Sequence, residues 1–80
     1  MATVIFKGYT EELRTVGVVK FLKYDVRLPL DGSKARALAD AMKENRIVTF
    51  RVETIERANW IALGVTELGV ICEISESDTN

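Results

Sequence analysis

Val16-Gly17-Val18-Val19-Lys20-Phe21-Leu22-Lys23-Tyr24-Asp25-Val26-Arg27-Leu28-Pro29-Leu30 is the stretch on which the fold turns. Its apolar side chains recur with a period of two. Val16, Val18, Leu22, Tyr24, Val26, Leu28 and Leu30 share one parity, interrupted only at Lys20. The other parity carries Gly17, Val19, Phe21, Lys23, Asp25, Arg27 and Pro29. Successive side chains of a strand point to opposite faces, so the pattern predicts a strand with the first set on a core and the second toward solvent. Fifteen residues are long for one strand, so a bulge or bend is expected near residues 20–23, giving either one bent strand or two.

Upstream, Thr3-Val4-Ile5-Phe6 is a short β-rich run ending at Lys7-Gly8. Thr10-Glu11-Glu12 has the oxygen and acids of a helix start, but Gly17-Val18-Val19 favours a strand, so a turn followed by a strand is expected. Downstream, Asp31-Gly32-Ser33 supplies N-cap oxygens, and Ala35, Leu38, Ala39 and Met42 recur at helical spacing. This predicts a helix at about 33–45. The alternations Val48, Phe50, Val52, then Ile61, Leu63, Val65, then Val70, Cys72, Ile74 predict three more strands, with hairpin-length connections at 57–59 and 66–69. Gly17 and Gly64 would lie inside strands, where glycine permits sharp bending. The expected fold is therefore α+β: a strongly curved, mainly antiparallel sheet of five or six strands, with a small barrel as its limiting form, and one helix across it. Residues 1–75 are expected to form one compact domain and 76–80 a frayed polar tail.

Composition narrows the chemistry. The chain has no histidine, which removes the commonest general acid–base group, the Ser-His-Asp and Cys-His nucleophile arrangements, and histidine-containing zinc sites. Cys72 is the only cysteine and sits in phase with Val70 and Ile74, so it reads as a small core hydrophobe with no partner for a disulfide. Gly64 and Gly69 have the spacing of a phosphate loop, but no Lys-Ser/Thr pair follows them. Glu11-Glu12 and Glu53 with Glu56 fall on polar or turn positions, where nothing would drive two carboxyl pKa values apart. The expectation is a protein that is not an enzyme, with no cofactor and no metal. Lone-cysteine usage, no visible secretory signal and no long apolar run point to a cytoplasmic protein without a membrane segment.

Two constellations are suited to binding. Trp60 shares a parity with Ala62, Gly64 and Thr66, so Trp60 and Thr66 are candidate protein-binding residues, since tryptophan is enriched among interface anchors. Packing against Gly64 is the competing role for Trp60. The second constellation is Phe21, Lys23 and Arg27 on the solvent-facing parity, with Lys7, Tyr9 and Lys20 nearby in sequence. A ring among cations is what single-stranded nucleic acid uses, bases stacking on the ring and phosphates meeting the charges. Residues 1–36 hold seven basic and four acidic groups, whereas 37–80 hold four basic and eight acidic. Against nucleic acid stand the net charge of −1 and Asp25 within the stripe. The leading expectation is thus a small protein-binding module, an accessory or inhibitory protein docking on a larger partner. The alternative is a single-stranded nucleic-acid-binding small β-barrel. Exposed strand edges offer a route to a homodimer.

Overall fold

In the computed structural model, which describes residues 1–76, three helices cover one face of a three-stranded antiparallel sheet. The chain order is β1 (Ala2–Tyr9), α1 (Thr15–Lys20, continuing through a π-helical turn over Phe21–Asp25), α2 (Gly32–Lys43), β2 (Val48–Val52), α3 (Ile55–Glu67) and β3 (Val70–Glu76). β1 lies in the centre, flanked by β2 and β3. Its pairing places Val4 between Phe50 and Ile74, and Phe6 between Val48 and Cys72. A bulge between Phe6 and Gly8 shifts the β1–β3 register.

The α+β class stands, but the five- or six-stranded curved sheet with a single helix does not: the sheet has three strands and three helices pack on it. Residues 16–25 are helical rather than a bent strand, residues 61–65 lie within α3, and the sheet is open rather than a barrel. The proposed hairpin at 57–59 is a turn of α3, and 66–69 ends that helix and leads into β3. The physical reason lies in a coincidence of periods. Residues four apart share the parity of a strand and also one stripe of a helix. Val18, Leu22 and Val26 are fully or almost fully buried and satisfy both patterns. Val16 and Tyr24 separate them: a strand would bury both, whereas they are 66% and 64% exposed.

Four residues of an α-helix advance about 40° beyond a full turn, so an i, i+4, i+8 stripe drifts around the axis. The π-helical turn, in which the Val26 N–H donates to the Phe21 carbonyl at 3.0 Å, is wider and counters that drift. Val26 therefore stays on the core side with Val18 and Leu22. Arg27 then takes a left-handed φ of 62°, and the Leu28 N–H returns to the Leu22 carbonyl at 2.9 Å, ending the helix. The Arg57 guanidinium donates to the Val26 carbonyl, placing a cation at the negative end of the helix dipole.

α2 overlaps the helix expected at 33–45, and the Asp31 carboxylate caps it by accepting from the Lys34 N–H at 2.8 Å. In α3 the Thr54 hydroxyl accepts from the Arg57 N–H at 3.1 Å, and Ala58, Ile61 and Val65 form the buried stripe. These residues meet Ala2, Val4, Phe6, Val52, Val70 and Met42 in one core. The opposite sheet face carries Lys7, Thr49, Arg51, Glu73 and Ser75, all exposed. Of the expected polar tail at 76–80, Glu76 closes β3, and 77–80 lie outside the described residues.

Candidate functional site

The two residues singled out separately in the sequence, Phe21 and Trp60, are neighbours. Their ring centroids lie 5.4 Å apart at an interplanar angle of 46°. Gly64 explains the approach: a Cβ built there would meet the Phe21 ring at 2.3 Å, so the ring rests on bare α3 backbone. Trp60 precedes Gly64 by one helical turn and borders the same ring, with 46% of its surface exposed. Gly64, expected to bend a strand, instead lets a ring approach the backbone of a helix.

The remaining candidates disperse. Thr66 is exposed, but six residues from Trp60 turn α3 by roughly 240°, so it faces another direction. There it lines a depression with Thr10, Glu11, Glu12 and Arg14. Lys7 lies on the outer sheet face, paired with Glu73 at 2.6 Å. The Tyr9 hydroxyl donates to the Arg46 carbonyl at 2.8 Å, and burial raises its pKa. Lys23 is half-buried with Nζ 5.6 Å from the Tyr24 ring centroid, and Arg27 is exposed beyond the helix end. Phe21, Lys23 and Arg27 thus do not line a sheet face; Phe21 and Lys23 belong to a helix that stands between α2 and α3.

That helix borders two grooves. Between α1 and α2 runs one of about 350 Å³. It is lined by the apolar Val16, Val19, Ala35 and Ala39 and by the cations Lys20, Lys23, Arg36 and Lys43. Among the described residues, no acidic side chain lines it. Between α1 and α3 a second groove of about 460 Å³ has Phe21 and Gly64 at its base and Asp25 and Glu67 beside it. Lys20 and Tyr24 form the ridge shared by both.

Parity reasoning missed this arrangement because it assigned Val16 and Tyr24 to the core. A helical reading of the same residues finds Val16, Lys20, Lys23 and Tyr24 at i, i+4, i+7 and i+8, one surface stripe. Part of the basic excess of residues 1–36 also acquires a spatial form, since Lys20, Lys23 and Arg36 share this groove.

Cys72 is half-buried at the margin of the core opposite Phe6. Burial raises its thiol pKa, and a backbone hydrogen bond at Ile5 opposes this more weakly. Among the described residues, no three Cys, Asp or Glu side chains gather as metal ligands, and no helix is long and apolar enough to cross a membrane. Comparison of the chain with models of known protein families, with curated proteins and with solved structures finds no match.

Proposed function

We propose that this protein is a small non-enzymatic binding module that docks on a larger protein through the groove between α1 and α2, taking an acidic amphipathic segment. One observation carries the reading: a groove lined by four small or branched apolar residues and four cations and, among the described residues, by no acid, in a chain whose net charge is −1. Such a groove suits a helix whose apolar anchors at i, i+3, i+4 and i+7 meet the apolar lining while its carboxylates meet Lys20, Lys23, Arg36 and Lys43. The charges would steer approach and select against basic partners, while the apolar lining would supply most of the residence time. Trp60, with Phe21 behind it, offers a second anchor across the α1 ridge.

A synthetic helical peptide with leucines at those anchor positions and glutamates elsewhere tests this, followed by backbone amide chemical shifts. Its binding is expected to perturb α1 and α2 and to weaken at least about tenfold in a Lys20→Glu, Lys23→Glu double variant, the size expected when attraction becomes repulsion at two contacts. Equal binding of the lysine-for-glutamate counterpart peptide would overturn the reading.

A second reading, single-stranded nucleic acid, is favoured by the 5.4 Å pairing of Phe21 with Trp60 beside Lys20 and Tyr24. Asp25 and Glu67 at the same groove oppose it. Titration of oligothymidylate against Trp60 fluorescence at two salt concentrations separates the readings. Quenching that falls steeply with salt supports nucleic acid, because phosphate contacts release counterions; no quenching at low salt removes it.

A further inference from the structure

We infer that two copies of this chain dock reciprocally, the outward stripe of α3 in each filling the cationic groove between α1 and α2 of the other, which rests on reading that groove as the seat of an acidic amphipathic segment. The stripe is Glu56, Trp60, Leu63 and Glu67, spaced i, i+4, i+7 and i+11 along α3. That spacing puts the four on one side of the helix, away from the buried Ala58, Ile61 and Val65. All four are exposed, Leu63 to 71%. Two apolar anchors thus stand between two carboxylates. The one cation of α3, Arg57, is turned off this stripe to the Val26 carbonyl.

Charge chooses the occupant. The groove offers Lys20, Lys23, Arg36 and Lys43 around small and branched apolar residues, with no acid among the described residues that line it. The α3 stripe offers the complement, carboxylates around Trp60 and Leu63. Opposite potentials meeting across a contact steer association and fix its register. Exposure points to the same surface. Of the seven large apolar side chains left exposed among the described residues, four lie on α1 and α3: Val16, Tyr24, Trp60 and Leu63.

Because α1 stands between α2 and α3, groove and stripe lie on either side of its ridge. A two-fold axis at that ridge lays α3 of each copy over the groove of the other and covers all four apolar side chains together. The contact is isologous and closes at two copies. Two carboxylates do not neutralise four cations, so a more strongly acidic segment of a larger partner displaces α3. The dimer is then the resting form of the groove.

Sedimentation equilibrium over a concentration series tests this. The mass is expected to rise from 9.0 kDa toward twice that value, less steeply at high salt, and to fall again when the acidic helical peptide is added. A Glu56→Lys, Glu67→Lys variant and a Lys20→Glu, Lys23→Glu variant, each checked for folding by circular dichroism, are each expected to raise the dimer Kd at least about tenfold. Mixed in equal amounts, they are expected to pair at least about tenfold more tightly than either does with itself, because one native groove then meets one native α3. A wild-type chain that stays at 9.0 kDa throughout yet binds the peptide overturns the dimer and leaves the groove reading in place. One that stays monomeric and ignores the peptide removes both. A dimer that either folded variant leaves intact, that persists in saturating peptide, or that mixing fails to restore also overturns the inference.

Discussion

Gly64 holds the aromatic pair together, and its substitution separates two opposing effects. Alanine within a helix is favoured over glycine by about 1 kcal/mol. Yet a Cβ at 64 would press into the Phe21 ring, whose nearest atoms would lie 2.3–2.8 Å away, and force it off its seat beside Trp60. Loss of such a ring pair costs about 0.5–1.5 kcal/mol. Gly64→Ala is therefore expected to change stability by less than about 1 kcal/mol while shifting Trp60 emission, as read by urea unfolding and fluorescence. Trp60→Ala is expected to leave the fold intact because the side chain is half exposed, and to weaken a partner seated across the α1 ridge. Unfolding of that variant would make Trp60 a packing residue alone. Gly69 behaves differently. Its φ is +94°, and a Cβ there would lie 2.6 Å from the Leu13 Cα. Because backbone must move, Gly69→Ala is expected to destabilise by at least about 2 kcal/mol in the same unfolding measurement.

At the scale of the element, α1 is a helix that its local sequence opposes. Val16, Val18 and Val19 are β-branched and Gly17 is a poor helix former, so tertiary burial of Val18, Leu22 and Val26 maintains it. Leu22→Ala is accordingly expected to cost about 2–5 kcal/mol, with loss of helical ellipticity on mild heating. That is a large share of the roughly 4–12 kcal/mol available to a chain of this length. The same conflict explains what the sequence could reveal. Asp31 and the Ala35, Leu38, Ala39, Met42 stripe make α2 legible, because capping and period agree there. The Val48, Phe50, Val52 and Val70, Cys72, Ile74 alternations likewise correspond to β2 and β3. In α1 and α3, valines and glycines disguise helical stripes whose members four apart also satisfy a two-residue period. Only exposure distinguishes the readings, and exposure depends on the whole chain. The candidate site inherited that error: Phe21 and Trp60 were visible as aromatics, while their contact and the α1–α2 groove required the helices to be in place.

Across the whole molecule, Tyr9 and Cys72 couple the central strand and its neighbour to pH. Burial raises both pKa values, from ordinary values of 10.0 for Tyr9 and 9.0 for Cys72. With the folded-state pKa raised, the folded chain holds its proton longer than the unfolded chain does. Well below pH 9 both groups are protonated in either state, and their contribution to stability is fully present. As pH climbs past 9 for Cys72 and past 10 for Tyr9, the unfolded chain ionises first, and stability falls until the folded-state pKa values are passed. Urea midpoints measured from about pH 8 to 11 are expected to decline accordingly. Cys72→Ala should remove the earlier part of the decline and Tyr9→Phe the later part. Tyr9→Phe should also lower stability at neutral pH by about 1 kcal/mol, because the Arg46 carbonyl loses the hydrogen bond that ties β1 to the segment entering β2. A decline that survives both substitutions would assign the alkaline sensitivity to groups other than these two. The reactivity of the thiol follows the same sign. With its thiolate disfavoured, Cys72 should react with a disulfide reagent more slowly in the folded protein than in urea, which is the behaviour of a packing residue and the reverse of an activated nucleophile.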